Sequence, residues 1–412
     1  MTDDVLTRES TTAAAAARWA AILCWAVIAV DGFDLVVIGA VIPVLSATGD
    51  LGFTDAFLTV ASTLGLLGVG LGAVLTGSST VRWDRRRVLL GSIALFSSAT
   101  LVGGFSASVT MFVFLRFAAG LGLGACLPTA LSFVAERADA GKNATAVTTS
   151  MTGNHVGAVL TALLALILVP TLGWRSMLVV GGLLGLLLLP LLWVKLPRTL
   201  PGRLPKVTAN SKDAAIADLS RLTSGVKLRT NLALWVASFM GLLLVFGLNT
   251  WLPRIMVQAG YSLQAGVGLL LVLNVGAVIG LLIAGRISDR RGAKATVLVW
   301  FGSAAVLLAL LSIRLHSQLL VFAAVLITGV FVFSAQALVY AFTTQLHPPE
   351  LRAGALGLVA GVGRLGAVFG PFLLGSLVTL GIAYPWGFYV LAAAAAAAVL
   401  SLATISARSR AR

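Results

Sequence analysis

Two aspartates, Asp31 and Asp34, stand inside the first strongly apolar stretch of the chain, and no lysine or arginine lies between Arg18 and Arg82. Residues three apart share one face of a helix. An ionised carboxylate in hydrocarbon is costly unless it is protonated, paired or wet. Two carboxylates kept close together there suit one task in particular, the uptake and release of a proton inside a membrane. The alternative is a structural carboxylate satisfied by backbone or by Arg116.

Arg116 lies in the fourth apolar stretch and cannot shed its charge, so it must be paired or wet. It holds the aspartates or a substrate carboxylate in one conformation, or it forms a fixed structural pair. Arg364 is the one strong positive charge deep in the second half. Its fork of donors suits a carboxylate gripped at two points. Helix packing beside Gly361, Gly363 and Gly366, or a gating ion pair, are the other roles open to it. Asn154 and His155 bring polarity to the fifth stretch, and a histidine titrates near working pH. They are candidates to hydrogen-bond a substrate or relay a proton. Three histidines and two cysteines, Cys24 and Cys126 in apolar stretches, give no metal or disulfide constellation. No nucleophile–base set and no Gly-x4-Gly-Lys-Ser/Thr loop is present, so neither an enzyme nor a cofactor is expected.

These residues need elements that hold them in a bilayer. The 412 residues are 59% hydrophobic and 10% charged, against about 25% charged in a soluble domain. The net charge of +15 sits in short loops between apolar stretches, which excludes a nucleic-acid partner. Twelve spans are predicted at 19–45, 55–77, 88–105, 109–134, 144–169, 175–194, 231–255, 264–285, 295–313, 318–342, 352–380 and 385–405, each long enough for a helix to cross a bilayer. Arginines and lysines crowd the loops after spans 2 and 8, the 195–230 stretch and the C-terminus, which predicts cytoplasmic termini. Asn143-Ala-Thr145 then falls on the cytoplasmic side and is discounted as a glycosylation acceptor. The chain divides into a tail at 1–18, a six-helix bundle at 19–194, a linker at 195–230, a second bundle at 231–405 and a tail at 406–412. The halves repeat: Gly77-Ser-Ser-Thr-Val-Arg-Trp-Asp-Arg-Arg86 corresponds to Gly285-Arg-Ile-Ser-Asp-Arg-Arg-Gly-Ala-Lys294, and His155-Val-Gly-Ala-Val159 to Arg364-Leu-Gly-Ala-Val368. Parallel six-span repeats describe one large transporter class.

Gly285-x-Ile-Ser-Asp289-Arg290-x-Gly292-x-Lys294 and Arg116-Phe-Ala-Ala-Gly120-Leu-Gly122-Leu-Gly124 resemble motifs of the major facilitator superfamily. The copy after span 2 departs from the pattern, with Val81 and Asp84 in place of its aspartate and glycine. Asp31-Gly-Phe-Asp34 with Ile38-Gly39 and Pro43, Gly247-Leu-Asn249-Thr-Trp251-Leu-Pro253, and Arg352-Ala-x-Ala-Leu-Gly357 leading to Arg364 and Gly370-Pro371 are similar to the aromatic acid:proton symporters. The resemblance implies an all-α membrane protein of the major facilitator fold that imports a benzoate-like or hydroxybenzoate-like anion with protons, by alternating access. Asp31 and Asp34 would couple protons, and Arg364, His155, Asn154 and Arg116 would meet the anion. Phe33, Asn249, Trp251, Phe333, Gln336 and Tyr340 are the candidate walls for an aromatic ring, which needs apolar sides and few polar groups. Asp289, Arg290 and Arg352 are candidate gating residues, with Glu136 and Arg86 in the first half. The histidine inclines the substrate towards benzoate itself. A monomer in the cell membrane of a bacterium is expected, with lipid, protons and a small acid as partners. Rival readings are a proton-coupled drug exporter, which would not want Arg364 and Arg116 facing a cationic cargo, and a non-transporting sensor of aromatic acids.

Overall fold

The computed structural model describes residues 2–79, 84–135, 143–196, 225–314, 317–347 and 349–405. Its helices are α1 (Thr2–Thr48), α2 (Asp55–Ser79), α3 (Arg85–Gly103), α4 (Val109–Ala135), α5 (Asn143–Leu172), α6 (Arg175–Lys195), α7 (Gly225–Gln258), α8 (Leu263–Arg291), α9 (Ala293–Leu311), α10 (Gln318–Leu346), α11 (Pro349–Thr379) and α12 (Ala383–Ala403). Lipid offers no partner to an open backbone, which is why apolar sequence of this length is helical. Each of the twelve is long and apolar enough to cross a membrane, and no strand occurs among the described residues.

The chain forms two compact units. One comprises Met1–Val41, Gly49–Phe53 and Leu64–Leu204, the other Ile42–Thr48, Thr54–Thr63 and Pro205–Arg412. Both are assembled by the same glycine contacts. Gly157 of α5 lies against the Ala29 carbonyl of α1, and Gly366 of α11 against the Phe239 carbonyl of α7. Gly72 of α2 lies against Leu121 of α4, and Gly280 of α8 against Val330 of α10. The members of each pair differ by 208 to 210 positions, from 72 to 280 and from 29 to 239, so the repeat in the sequence is a repeat in packing. Without a hydrophobic force between helices in lipid, close backbone approach through small residues is what holds them.

The α1–α2 connection is a tight reversal. Gly49, Leu51 and Gly52 all adopt positive φ, of 60°, 56° and 80°. Asp50 accepts a hydrogen bond from the Trp174 indole at 2.9 Å and pairs with Arg175 at 3.0 Å. The indole N–H, then the Arg175 charge, outweigh partial desolvation and hold the Asp50 carboxyl below its ordinary range. Phe53, Phe112 and Trp174 stack edge-to-face around it, which ties the α1–α2 and α5–α6 turns to α4. In the second unit Arg254 grips Asp55 with two hydrogen bonds, 3.2 and 3.0 Å, and Ser46 donates to the same carboxylate at 2.6 Å.

A Cβ on Gly120 would lie 2.0 Å from the Gly65 carbonyl oxygen, whereas one on Gly70 meets nothing within 4 Å. Overpacking of this kind costs about 1–3 kcal/mol or more. Gly120→Ala is therefore expected to lower the thermal midpoint of the detergent-solubilised protein by several degrees, with Gly70→Ala indistinguishable from wild type in the same scan.

Candidate functional site

One turn of α1, Asp31-Gly32-Phe33-Asp34, reaches four other helices of its unit. Asp31 accepts from Asn154 Nδ2 of α5 at 3.2 Å. Gly32 makes this possible, because a Cβ there would overlap the Asn154 carbonyl. The Phe33 ring, 1% exposed, lies against Gly181 of α6, and its carbonyl accepts from Thr161 of α5. Asp34 turns the other way. It accepts from Thr100 Oγ1 of α3 at 2.6 Å and from Arg116 of α4 at 3.2 Å (Nη1) and 3.0 Å (Nη2).

The Asp34–Arg116 pair is almost wholly buried, with side chains 2% and 7% exposed. Arg116 Nη2 also donates to the Asp34 carbonyl, while its Nε is buried with no partner among the described residues. The two aspartates thus share a helix face and differ in environment. Asp34 is matched by a permanent charge and a hydroxyl. Asp31 has the Asn154 amide among its partners. His155, the neighbour of Asn154, is half-buried.

In the second unit, Arg364 of α11 is half-buried and makes no hydrogen bond or ion pair among the described residues. It is level with Ser238 of α7, since a Cβ on Gly363 would meet Ser238 Oγ at 2.5 Å. Ser238 accepts from Gln336 Nε2 of α10 at 3.1 Å, and Gln336 Oε1 is buried without a partner among the described residues. Trp251 is fully buried and donates to the Pro371 carbonyl at 2.8 Å, which pegs α7 to α11. Phe333 is buried and Tyr340 half-buried on α10. Asn249 Oδ1 accepts from Asn274 Nδ2 of α8 at 2.9 Å.

Asp289 and Arg290 are exposed at the end of α8 and make no ion pair among the described residues. Arg86 donates to the Trp193 carbonyl and stacks over its ring at 5.1 Å. Glu136 and the Arg352 side chain lie outside the described residues, as do positions 80–83 of the first loop motif. Sequence reading did not single out Thr100 or Asn274; the available signal was a polar side chain inside an apolar span. No group of three histidine, cysteine, aspartate or glutamate side chains that could hold a metal occurs among the described residues.

Residues 24–299 and 267–411 match the family described as the Major Facilitator Superfamily. The chain belongs to that superfamily. A gallate transporter of Pseudomonas putida is 32% identical over 408 residues, covering 92% of this chain and 90% of the relative. A benzoate transport protein of Acinetobacter baylyi is 29% identical, covering 93% and 88%. The crystal structure of a D-xylose–proton symporter shares the fold, with a TM-score of 0.78 at 15% identity over 95% of this chain and 98% of that one. The major facilitator family and these relatives are transporters, not enzymes.

Removing one member of a buried ion pair strands the other, at about 3–5 kcal/mol. Asp34→Asn and Arg116→Gln are each expected to destabilise the detergent-solubilised protein strongly. The double variant should be less unstable than the sum of the two, read as thermal midpoints in a double-mutant cycle.

Proposed function

We propose that this major facilitator protein imports an aromatic carboxylate together with protons by alternating access. The observation that carries the reading is the unequal treatment of two intramembrane arginines. Arg116 is neutralised by Asp34, whereas Arg364 has no counter-charge among the described residues. A permanent cation half-buried in a membrane span favours a mobile anion. The names of the relatives, transporters of gallate, benzoate, gentisate and 4-hydroxybenzoate, supply its class: a carboxylate on an aromatic ring.

In this reading Asp31 is the proton carrier and Asp34 the fixed counter-ion of Arg116. Proton loading of Asp31 removes a negative charge from the path of an incoming anion. The anion then neutralises Arg364, with Tyr340 of the same unit as a further polar contact. With fewer uncompensated charges in the membrane, the protein changes its access from one side to the other. Each charge moved through 100 mV is worth about 2.3 kcal/mol, so an excess of protons over anion draws on the membrane potential. Asp289, Arg290 and Arg352, and Arg86 with Glu136, hold one access state through contacts absent from the other. In this reading both termini lie in the cytoplasm of a bacterial cell, an orientation the loop charges support, and one chain is the working unit.

The test is uptake of labelled gallate, benzoate and 4-hydroxybenzoate into proteoliposomes with and without an inward proton gradient. Wild type is expected to accumulate at least one acid only with the gradient. Arg364→Gln should lower uptake by about a hundredfold or more, and Arg364→Lys should restore part of it, because a point charge replaces a fork. Gradient-driven efflux of a cationic dye, with none of the acids accumulated, would replace this reading by the exporter.

A further inference from the structure

We propose that Asn274 is a positioning residue that turns the Asn249 amide into a fixed donor for a ring hydroxyl of the substrate; this rests on the aromatic-acid reading above. The argument is one of forced orientation. Asn274 lies on α8, 1% exposed, and its amide faces two acceptors, the Leu270 carbonyl at 3.0 Å and the Asn249 side chain at 2.9 Å. A backbone carbonyl accepts only, so the Asn274 atom facing Leu270 must be nitrogen. That nitrogen has two hydrogens and spends the other on Asn249. The Asn249 atom facing it must then be oxygen, and its own NH2 is turned away from Asn274.

Asn249 is half-buried and makes no other hydrogen bond among the described residues, so its Nδ2 is an uncommitted donor. On the other residue of the pair, Asn274 Oδ1 is buried with no partner among the described residues. An unpaired buried acceptor costs about 1–3 kcal/mol. The pair therefore offers a donor and an acceptor, each lacking its complement. A carboxylate satisfies only the donor. A hydroxyl both accepts and donates.

Position supports the same substituent. Arg364 is level with Ser238, and Asn249 is eleven residues further along α7, about 16 Å at the helical rise. A carboxylate held by Arg364 is out of reach of Asn249. An arginine side chain and a hydroxybenzoate laid end to end cover that separation, and in that arrangement the ring hydroxyl, not the carboxylate, is the group that meets Asn249. The pair selects a hydroxylated aromatic acid over benzoate, the reverse of the inclination drawn from the histidine alone.

The experiment titrates benzoate, 3-hydroxybenzoate and 4-hydroxybenzoate into full-length protein in detergent, for wild type, Asn274→Leu and Asn249→Leu. Wild type should bind the better hydroxybenzoate at least about tenfold tighter than benzoate. In each variant that ratio should fall towards one, and combining the two should lower it no further. Benzoate binding in the same sample reports that the variant is folded. A ratio unchanged in Asn249→Leu, or an equal loss for all three acids in either variant, overturns the proposal while the aromatic-acid reading stands. Should Asn274→Leu not fold, Asn249→Leu decides alone. No binding of any of the three acids to wild type overturns both.

Discussion

Arg116 carries a charge it cannot lose, inside a membrane span, and the first unit is arranged around that fact. Burial of a guanidinium requires a carboxylate at hydrogen-bonding distance, and Asp34 provides one from α1, braced by Thr100 from α3. Three helices are pinned at one point. Because Asp34 is committed there, the proposed cycle assigns the proton to Asp31, the other aspartate of the same turn. The second unit has no such pair around Arg364 among the described residues. The two halves share a packing plan and differ in how their charges are matched, and that difference is the basis of the transport reading.

Rigid halves are a condition for such a mechanism. Glycine contacts of near-zero clearance, Gly72 on Leu121 and Gly124 on Val69 in one unit, Gly276 on Leu326 and Gly329 on Leu273 in the other, leave the helix pairs little room to slide. In the proposed cycle, charges held on such scaffolds keep their partners while access changes around them. The Trp251 peg to Pro371 serves the same end between α7 and α11.

The twelve spans were legible because apolar length, unlike strand pairing, is a local property of the sequence. The repeat was legible because the same glycines recur at a near-constant offset, as Gly157 and Gly366 do. The separate environments of Asp31 and Asp34 were not, since their spacing places them on one face while Asn154, Thr100 and Arg116 come from 66 to 123 positions away. Phe33 and Trp251, expected as walls for a ring, are held by Gly181 and by the Pro371 carbonyl, contacts that only the packed helices reveal. Asn274 escaped notice for a like reason: its meaning lies in which atom of Asn249 it faces.

The most direct test of the division between the aspartates is the number of protons taken up when the acid binds. Calorimetry of 4-hydroxybenzoate binding, repeated in buffers of different ionisation enthalpy, gives that number without a membrane or a gradient. The account predicts net proton uptake on binding by wild type and none by Asp31→Asn. Proton uptake that survives Asp31→Asn unchanged would contradict it, and would return the coupling role to Asp34 or His155.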